Sequence, residues 1–383
     1  MRKLLALLHL WAGLILAGPL VLLGLTGSVL VFEHELDGWM NPALYRASDG
    51  PARPIAEIVA AAEASGGGER LRAGVVSLPE EAGGPAIVRV APGGARGGPG
   101  GGPGARQVFV DPASLAILGS RDPMSTGLRQ IFLLHANATV RDRSGREVVG
   151  WLGVAMLGLG LTGLYLWWPR PGRWRQAFRV KAGTGTYRFN RDLHGAVGIW
   201  AWLVFVIVSF SGVFLAFPQA LGGAITSVFP GRDLRASANE VRATPVPGER
   251  PMTLDAAVGL AREAVPNARA VFVMPAGRPE QPVRVGLRRD GQSSGGPAIT
   301  VFVDPFAKTI LEVRDPRTFT LGETITAWQH ALHEGAGLGP VWKALVFLSG
   351  FLPLLFVVTG LTMWLKKRQA RRAAPAATVE MPA

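Results

Sequence analysis

The sequence predicts a membrane α-helical protein: a four-transmembrane-helix bundle with two outer α+β domains, internally duplicated. Three observations carry that expectation. Four apolar stretches are each long enough to cross the roughly 30 Å of bilayer hydrocarbon. The segments after the first and third stretches carry helix-like and strand-like patterns that recur in the same order. Four of the six histidines occupy matching places in the two halves. Composition agrees, with 48% apolar and only 17% charged residues, as expected of a chain divided between lipid and water.

Residues 1–35 form the first expected span, with Leu4 to Phe32 as its apolar run. Arg2-Lys3 resembles the charged start of a signal peptide. The run is too long for one, however, and no small-residue cleavage site follows Val29 to Phe32, so it reads as a retained span. Residues 36–127 make the first outer domain. Ile55 to Ala64 reads as an amphipathic helix, followed by strand-like runs at Arg72–Leu78 and Ile87–Val90. Between later strands, Pro92 to Gly104 is almost entirely Gly and Pro and reads as a hairpin insertion without assigned function. Residues 128–169 supply a lead-in and the second span, Val148 to Trp168.

The link at 170–192 carries Arg170, Arg173, Arg175, Arg179, Lys181, Arg188 and Arg191 against the single acid Asp192. Residues 193–218 give the third span, Ala196 to Phe217, and 219–322 the second outer domain. There Leu254 to Ala264 reads as a helix, and Ala270–Met274 and Val283–Leu287 as strands. Residues 323–366 hold the fourth span, Val341 to Leu365, and 367–383 a tail continuing the basic run Lys366, Lys367, Arg368, Arg371 and Arg372. By the positive-inside rule both termini and the basic link are expected in the cytoplasm, with the two domains outside. Most of the net charge of +13 lies in these flanks, so lipid contact is expected and nucleic-acid binding is not. The absence of cysteine excludes disulfides, thiol catalysis and cysteine-ligated iron–sulfur clusters.

The repetition is explicit. Val108-Phe109-Val110-Asp111-Pro112 recurs as Val301-Phe302-Val303-Asp304-Pro305, and Arg121-Asp122-Pro123 as Arg314-Asp315-Pro316. His9 precedes Thr26-Gly27 by 17 residues, as His194 precedes Ser211-Gly212. Thr162-Gly163-Leu164 matches Thr359-Gly360-Leu361. At a rise of about 1.5 Å per residue, His9 and His194 fall near the cytoplasmic ends of spans one and three. His135 and His333 fall at the outer ends of spans two and four. The Thr/Ser-Gly pairs lie at complementary depths, where small residues would admit a porphyrin.

An ionisable side chain in or beside a span is costly and points to function. Paired imidazoles at matching depths in a bundle suit a bis-histidine haem, so His9 with His194 and His135 with His333 are the candidate cofactor ligands. Helix-end contacts with headgroups are the competing reading, and zinc is another. His34 and His330 do not repeat. Either could replace an outer ligand or contact substrate, and His330 lies three residues before His333. Arg141, Arg143 and Arg146 could face haem propionates or an anionic substrate. The 11 tryptophans gather at span ends, as an interfacial belt does.

The chain resembles the PepSY-associated transmembrane proteins, the group that includes iron-regulated membrane proteins and ferric-siderophore reductases. In the first half the resemblance rests on Leu8-His9 with Gly13, Thr26-Gly27-Ser28 running into Phe32 and Leu36-Asp37, and Leu134-His135. Thr162-Gly163-Leu164 before Trp167-Trp168-Pro169-Arg170 extends it. The second half continues with Arg191-Asp192-Leu193-His194-Gly195, Leu332-His333-Glu334-Gly335, and Thr359-Gly360-Leu361 before Trp364.

The resemblance implies PepSY-like outer domains in a bacterial periplasm, an inner-membrane location, and two haem b groups. It further implies outward electron transfer to a ferric siderophore or another ferric chelate. No dinucleotide-binding glycine fingerprint follows a predicted strand, so the electron donor is expected to be separate, a flavin reductase or quinol. Outer-sphere reduction requires no catalytic acid, base or nucleophile, and none is assigned. The Gly/Pro insertion departs from the family pattern. The alternative reading is a non-enzymatic PepSY-domain membrane protein that binds or regulates envelope partners. A transporter fits less well, because the spans carry no acid within the hydrocarbon.

Overall fold

A computed structural model describes residues 1–81, 83–93, 102, 104–140 and 142–373. Most of the Gly/Pro insertion, Arg141 and the end of the basic tail lie outside the described residues. The chain divides into two compact units, one of residues 1–31, 131–218 and 332 onward, the other of 32–130 and 219–331. The principal helices begin with α1 (Arg2–Ile15), α2 (Ala17–Leu30), α3 (Ile55–Ala64), α4 (Gly127–Asn137) and α5 (Arg143–Trp167). They continue with α6 (Thr186–Trp200), α7 (Trp202–Ala216), α8 (Leu254–Ala264), α9 (Leu321–Glu334), α10 (Gly339–Ser349) and α11 (Leu352–Ala373).

The first unit is a bundle built from α1, α2, α5, α6, α7, α10 and α11. Residues 143–167 and 339–373 are each long and apolar enough to cross a membrane. The count of candidate spans rises to four if each of two bent pairs is one span. Expected spans one and three are both bent: α1 meets α2 at 67° and α6 meets α7 at 66°. At the first break Pro19 has no N–H to offer the Ile15 carbonyl, and its ring crowds that turn. The second break has no proline. Both pivot residues, Leu16 and Ala201, adopt the same backbone conformation, with φ near −92° and −94° and ψ near 6° and −2°.

Where α10 gives way to α11, Gly350 lies against α2. A Cβ on Gly24 would stand 2.2 Å from the Gly350 carbonyl oxygen, so only glycine permits this crossing. The Ser28 hydroxyl donates to the Phe347 carbonyl at 2.7 Å beside that break. The hydroxyl and the missing Cβ atoms thus hold the two helices at backbone distance.

The second unit carries strands β1 (Leu71–Ser77), β2 (Ala86–Pro92), β3 (Arg106–Val110), β4 (Ile117–Arg121), β5 (Ala268–Met274), β6 (Val283–Arg289), β7 (Ile299–Asp304) and β8 (Thr309–Arg314). They form one antiparallel sheet in the order β4-β3-β2-β1-β5-β6-β7-β8. The two outer segments are therefore not separate bodies, as the sequence suggests. They join where Val76 faces Val273 and Ser77 faces Phe272.

Helix α3 covers the β1–β4 half, burying Ile58 and Ala62 on Val76, Val88, Val108 and Val110. Helix α8 covers the β5–β8 half, burying Ala257 and Ala261 on Val273, Val285, Leu287 and Val301. Ile55 and Leu78 pack against both cores. The Asp255 carboxylate of α8 accepts from the first amides of α3, Ile55 N at 2.7 Å and Ala56 N at 3.0 Å. That supplies the N-terminal cap that Pro54 cannot provide.

The repeated Val-Phe-Val-Asp-Pro motif proves to be a folding device. Asp111 Oδ1 accepts from Ala113 N and Asp111 Oδ2 from Ser48 N at 2.9 Å, with the Ser48 hydroxyl at 2.6 Å. Asp304 does the same with Phe306 N, Ala307 N and Thr244 N. Each aspartate ends a strand, closes the hairpin turn and holds an incoming segment. Burial pushes both carboxyls up, but the hydrogen bonds outweigh it and hold both below the usual 3.8. A depressed folded-state value adds stability that is complete above the unfolded pKa and lost as pH falls through the folded one. Unfolding of the full chain should therefore become easier below about pH 4. Asp304→Ala should cost about 1–3 kcal/mol in a denaturant titration at pH 7. An unchanged midpoint would refute the stapling role.

Candidate functional site

Four imidazoles meet as two pairs inside the bundle unit. His9 on α1 faces His194 on α6, with ring centroids 6.4 Å apart and planes at 70°. His9 Nδ1 contacts the Thr162 hydroxyl of α5 at 2.9 Å, and His194 Nδ1 contacts the Thr359 hydroxyl of α11 at 2.8 Å. Phe356 packs on the His194 ring at 4.9 Å between centroids. Helices α1, α5, α6 and α11 thus each contribute one polar side chain.

His135 lies on α4 and His333 on α9, the short lead-in helices that precede the second and fourth apolar stretches. Their ring centroids are 6.0 Å apart, with planes at 43°. His135 Nδ1 lies 3.1 Å from the Thr26 hydroxyl and 3.1 Å from the Leu23 carbonyl, both on α2. His333 Nδ1 lies 3.1 Å from the Ser211 hydroxyl and 3.0 Å from the Val208 carbonyl, both on α7. The partner of His135 is thus His333.

The four Thr/Ser-Gly pairs sit at the four histidines, Thr162-Gly163 at His9, Thr359-Gly360 at His194, Thr26-Gly27 at His135 and Ser211-Gly212 at His333. Their role at short range is different. A Cβ on Gly27 would meet His135 Cε1 at 3.0 Å, and one on Gly212 would meet His333 Cε1 at 2.9 Å. These glycines clear space for the imidazoles themselves. The hydroxyl beside each glycine is a site residue that sequence reasoning passes over, although a Thr or Ser precedes the glycine at all four places.

A family model described as the PepSY-associated TM region matches residues 6–367. The chain belongs to the PepSY-associated transmembrane family. No curated protein matches it.

The remaining candidates of this family member lie elsewhere. His34 meets Tyr45 edge-on at 5.7 Å, and the Tyr45 hydroxyl donates to Asp37, which Arg121 clamps at 2.7 and 2.6 Å. Burial raises the Asp37 carboxyl, while the Arg121 and Tyr45 hydrogen bonds and the Arg121 charge bring it below the usual range. His330 is exposed on α9. Arg143 pairs with Glu147 at 3.0 Å, and Arg146 donates to the Leu215 carbonyl at 3.4 Å. Trp151, Trp168 and Trp200 are exposed, as befits an interfacial belt. Among the described residues no group of three His, Asp or Glu could hold a metal ion.

The glycine contacts rank the pairs. Gly212→Ala forces a new methyl to 2.9 Å from His333, whereas Gly360→Ala brings one only to 3.8 Å from His194, an ordinary contact. Thermal unfolding in detergent should show a clear loss for Gly212→Ala and little change for Gly360→Ala. The reverse order would contradict the packing described.

Proposed function

We propose that this chain is a bacterial inner-membrane haem-b protein moving electrons outward. On this reading the spans number four, the halves descend from a duplication, both termini are cytoplasmic and the sheet unit is periplasmic. The inner pair His9 and His194 and the outer pair His135 and His333 each hold one haem. Electrons arrive from a separate cytoplasmic donor or the quinone pool. The acceptor is a ferric siderophore or another ferric chelate.

One observation carries the proposal: the spacing of the rings. Metal–imidazole bonds are about 2 Å long and the ring centre lies about 1 Å further on, so two imidazoles across one metal have centroids roughly 6 Å apart. The observed separations are 6.4 and 6.0 Å. A pair of imidazoles also matches what a porphyrin iron asks of a protein. When bound, haem would supply a one-electron carrier, which His9 and His194, or His135 and His333, would hold within the apolar bundle. Electron delivery to the chelate is sufficient chemistry, because Fe(II) is the softer, more weakly held ion for hard oxygen donors.

Single substitutions test the assignment. His194→Ala or His9→Ala should remove about half of the haem, and His135→Ala or His333→Ala the other half, as only one pair is broken each time. Combining His194→Ala with His333→Ala should leave almost none. Full occupancy in His194→Ala would refute the inner pair.

A further inference from the structure

Each of the four paired imidazoles touches a hydroxyl that also lies within hydrogen-bond distance of a backbone carbonyl of its own helix. Thr162 donates to the Gly158 carbonyl at 2.7 Å and Thr359 to the Leu355 carbonyl at 2.8 Å. Thr26 donates to the Leu22 carbonyl at 2.7 Å, and Ser211 to the Val208 carbonyl at 3.0 Å. A hydroxyl has one proton to give. Having given it to the backbone, it can only accept from the histidine.

In that arrangement Nδ1 carries the proton. The outer pair reaches the same conclusion independently, because the carbonyls of Leu23 and Val208 beside His135 and His333 can accept but never donate. In the neutral ring Nε2 is then left as the unprotonated nitrogen, the one able to bond a metal.

We propose that Thr162, Thr359, Thr26 and Ser211 are positioning residues that lock the Nδ1–H tautomer, and that the lock has unequal depth at the two levels. Among the described residues the inner imidazoles rest on a hydroxyl alone. The outer ones rest on a hydroxyl and a backbone carbonyl. This rests on the haem reading above. An acceptor on Nδ1–H makes an imidazole a stronger electron donor and favours ferric over ferrous iron. Removing it should loosen the haem and raise its midpoint potential. Where a carbonyl remains, the effect should be small.

The test uses the full-length protein in detergent, with transfer of haem to apomyoglobin and a redox titration of the α-band as readouts. Thr162→Val with Thr359→Val should speed loss of one haem by roughly 10–100-fold and raise one midpoint. Thr162→Ser with Thr359→Ser keeps the hydroxyls and should restore both. Thr26→Val with Ser211→Ala should change the other haem far less. Wild-type kinetics and midpoint in the inner valine pair, or equal effects at both levels, would overturn the proposal while leaving the haem assignment standing. If the wild-type chain binds no haem, the functional reading fails, and the tautomer is read directly from the histidine ¹⁵N shifts of the chain as purified. Protonated Nε2 in the paired histidines would then overturn the lock.

Discussion

The histidine–hydroxyl contact is the constraint on which the bundle depends. An imidazole away from water has two polar nitrogens to satisfy, and an unsatisfied one costs free energy. Each of the four rings meets that demand at Nδ1 with a Thr or Ser from a neighbouring helix. The glycine following that hydroxyl lets the helix come close enough to reach the ring, most tightly at Gly27 and Gly212. One dipeptide thus provides both the acceptor and the clearance. Helix packing and ligand orientation are a single arrangement here.

The bends serve the same end. At 1.5 Å per residue a straight helix from His9 to Thr26 would run about 25 Å along one line. The break at Leu16 redirects it, so that α1 packs with α5 and α11 while α2 packs with α10 and α11. The break at Ala201 does likewise for α6 and α7. On the proposed reading, the two haem levels are then built from different halves of the same stretches. The sheet unit is assembled on other terms, by β-pairing and buried aspartates that need no cofactor.

Much of this was legible in the sequence because it is periodic or repeated. The helices at Ile55–Ala64 and Leu254–Ala264 follow from amphipathic spacing, and the strands from short apolar runs, two of which end at Asp-Pro. The pairing of His9 with His194 and of His135 with His333 follows from matching depth. Other features leave no such trace. The junction of β1 with β5 depends on which strand edges meet, and hydrophobic alternation reads the faces of a strand but not its edge partner. The bend at Ala201 has no proline to announce it. The hydroxyls of Thr26, Thr162, Ser211 and Thr359 look like ordinary small residues of helix contacts until a ring nitrogen is placed beside them.

The most direct test of the account is the reduced-minus-oxidised visible spectrum of the full-length protein purified in detergent, with haem measured per chain. The account predicts sharp b-type bands and about two haems per chain, one for each imidazole pair. A colourless protein that takes up no haem would contradict it and leave the four histidines as structural residues of the bundle.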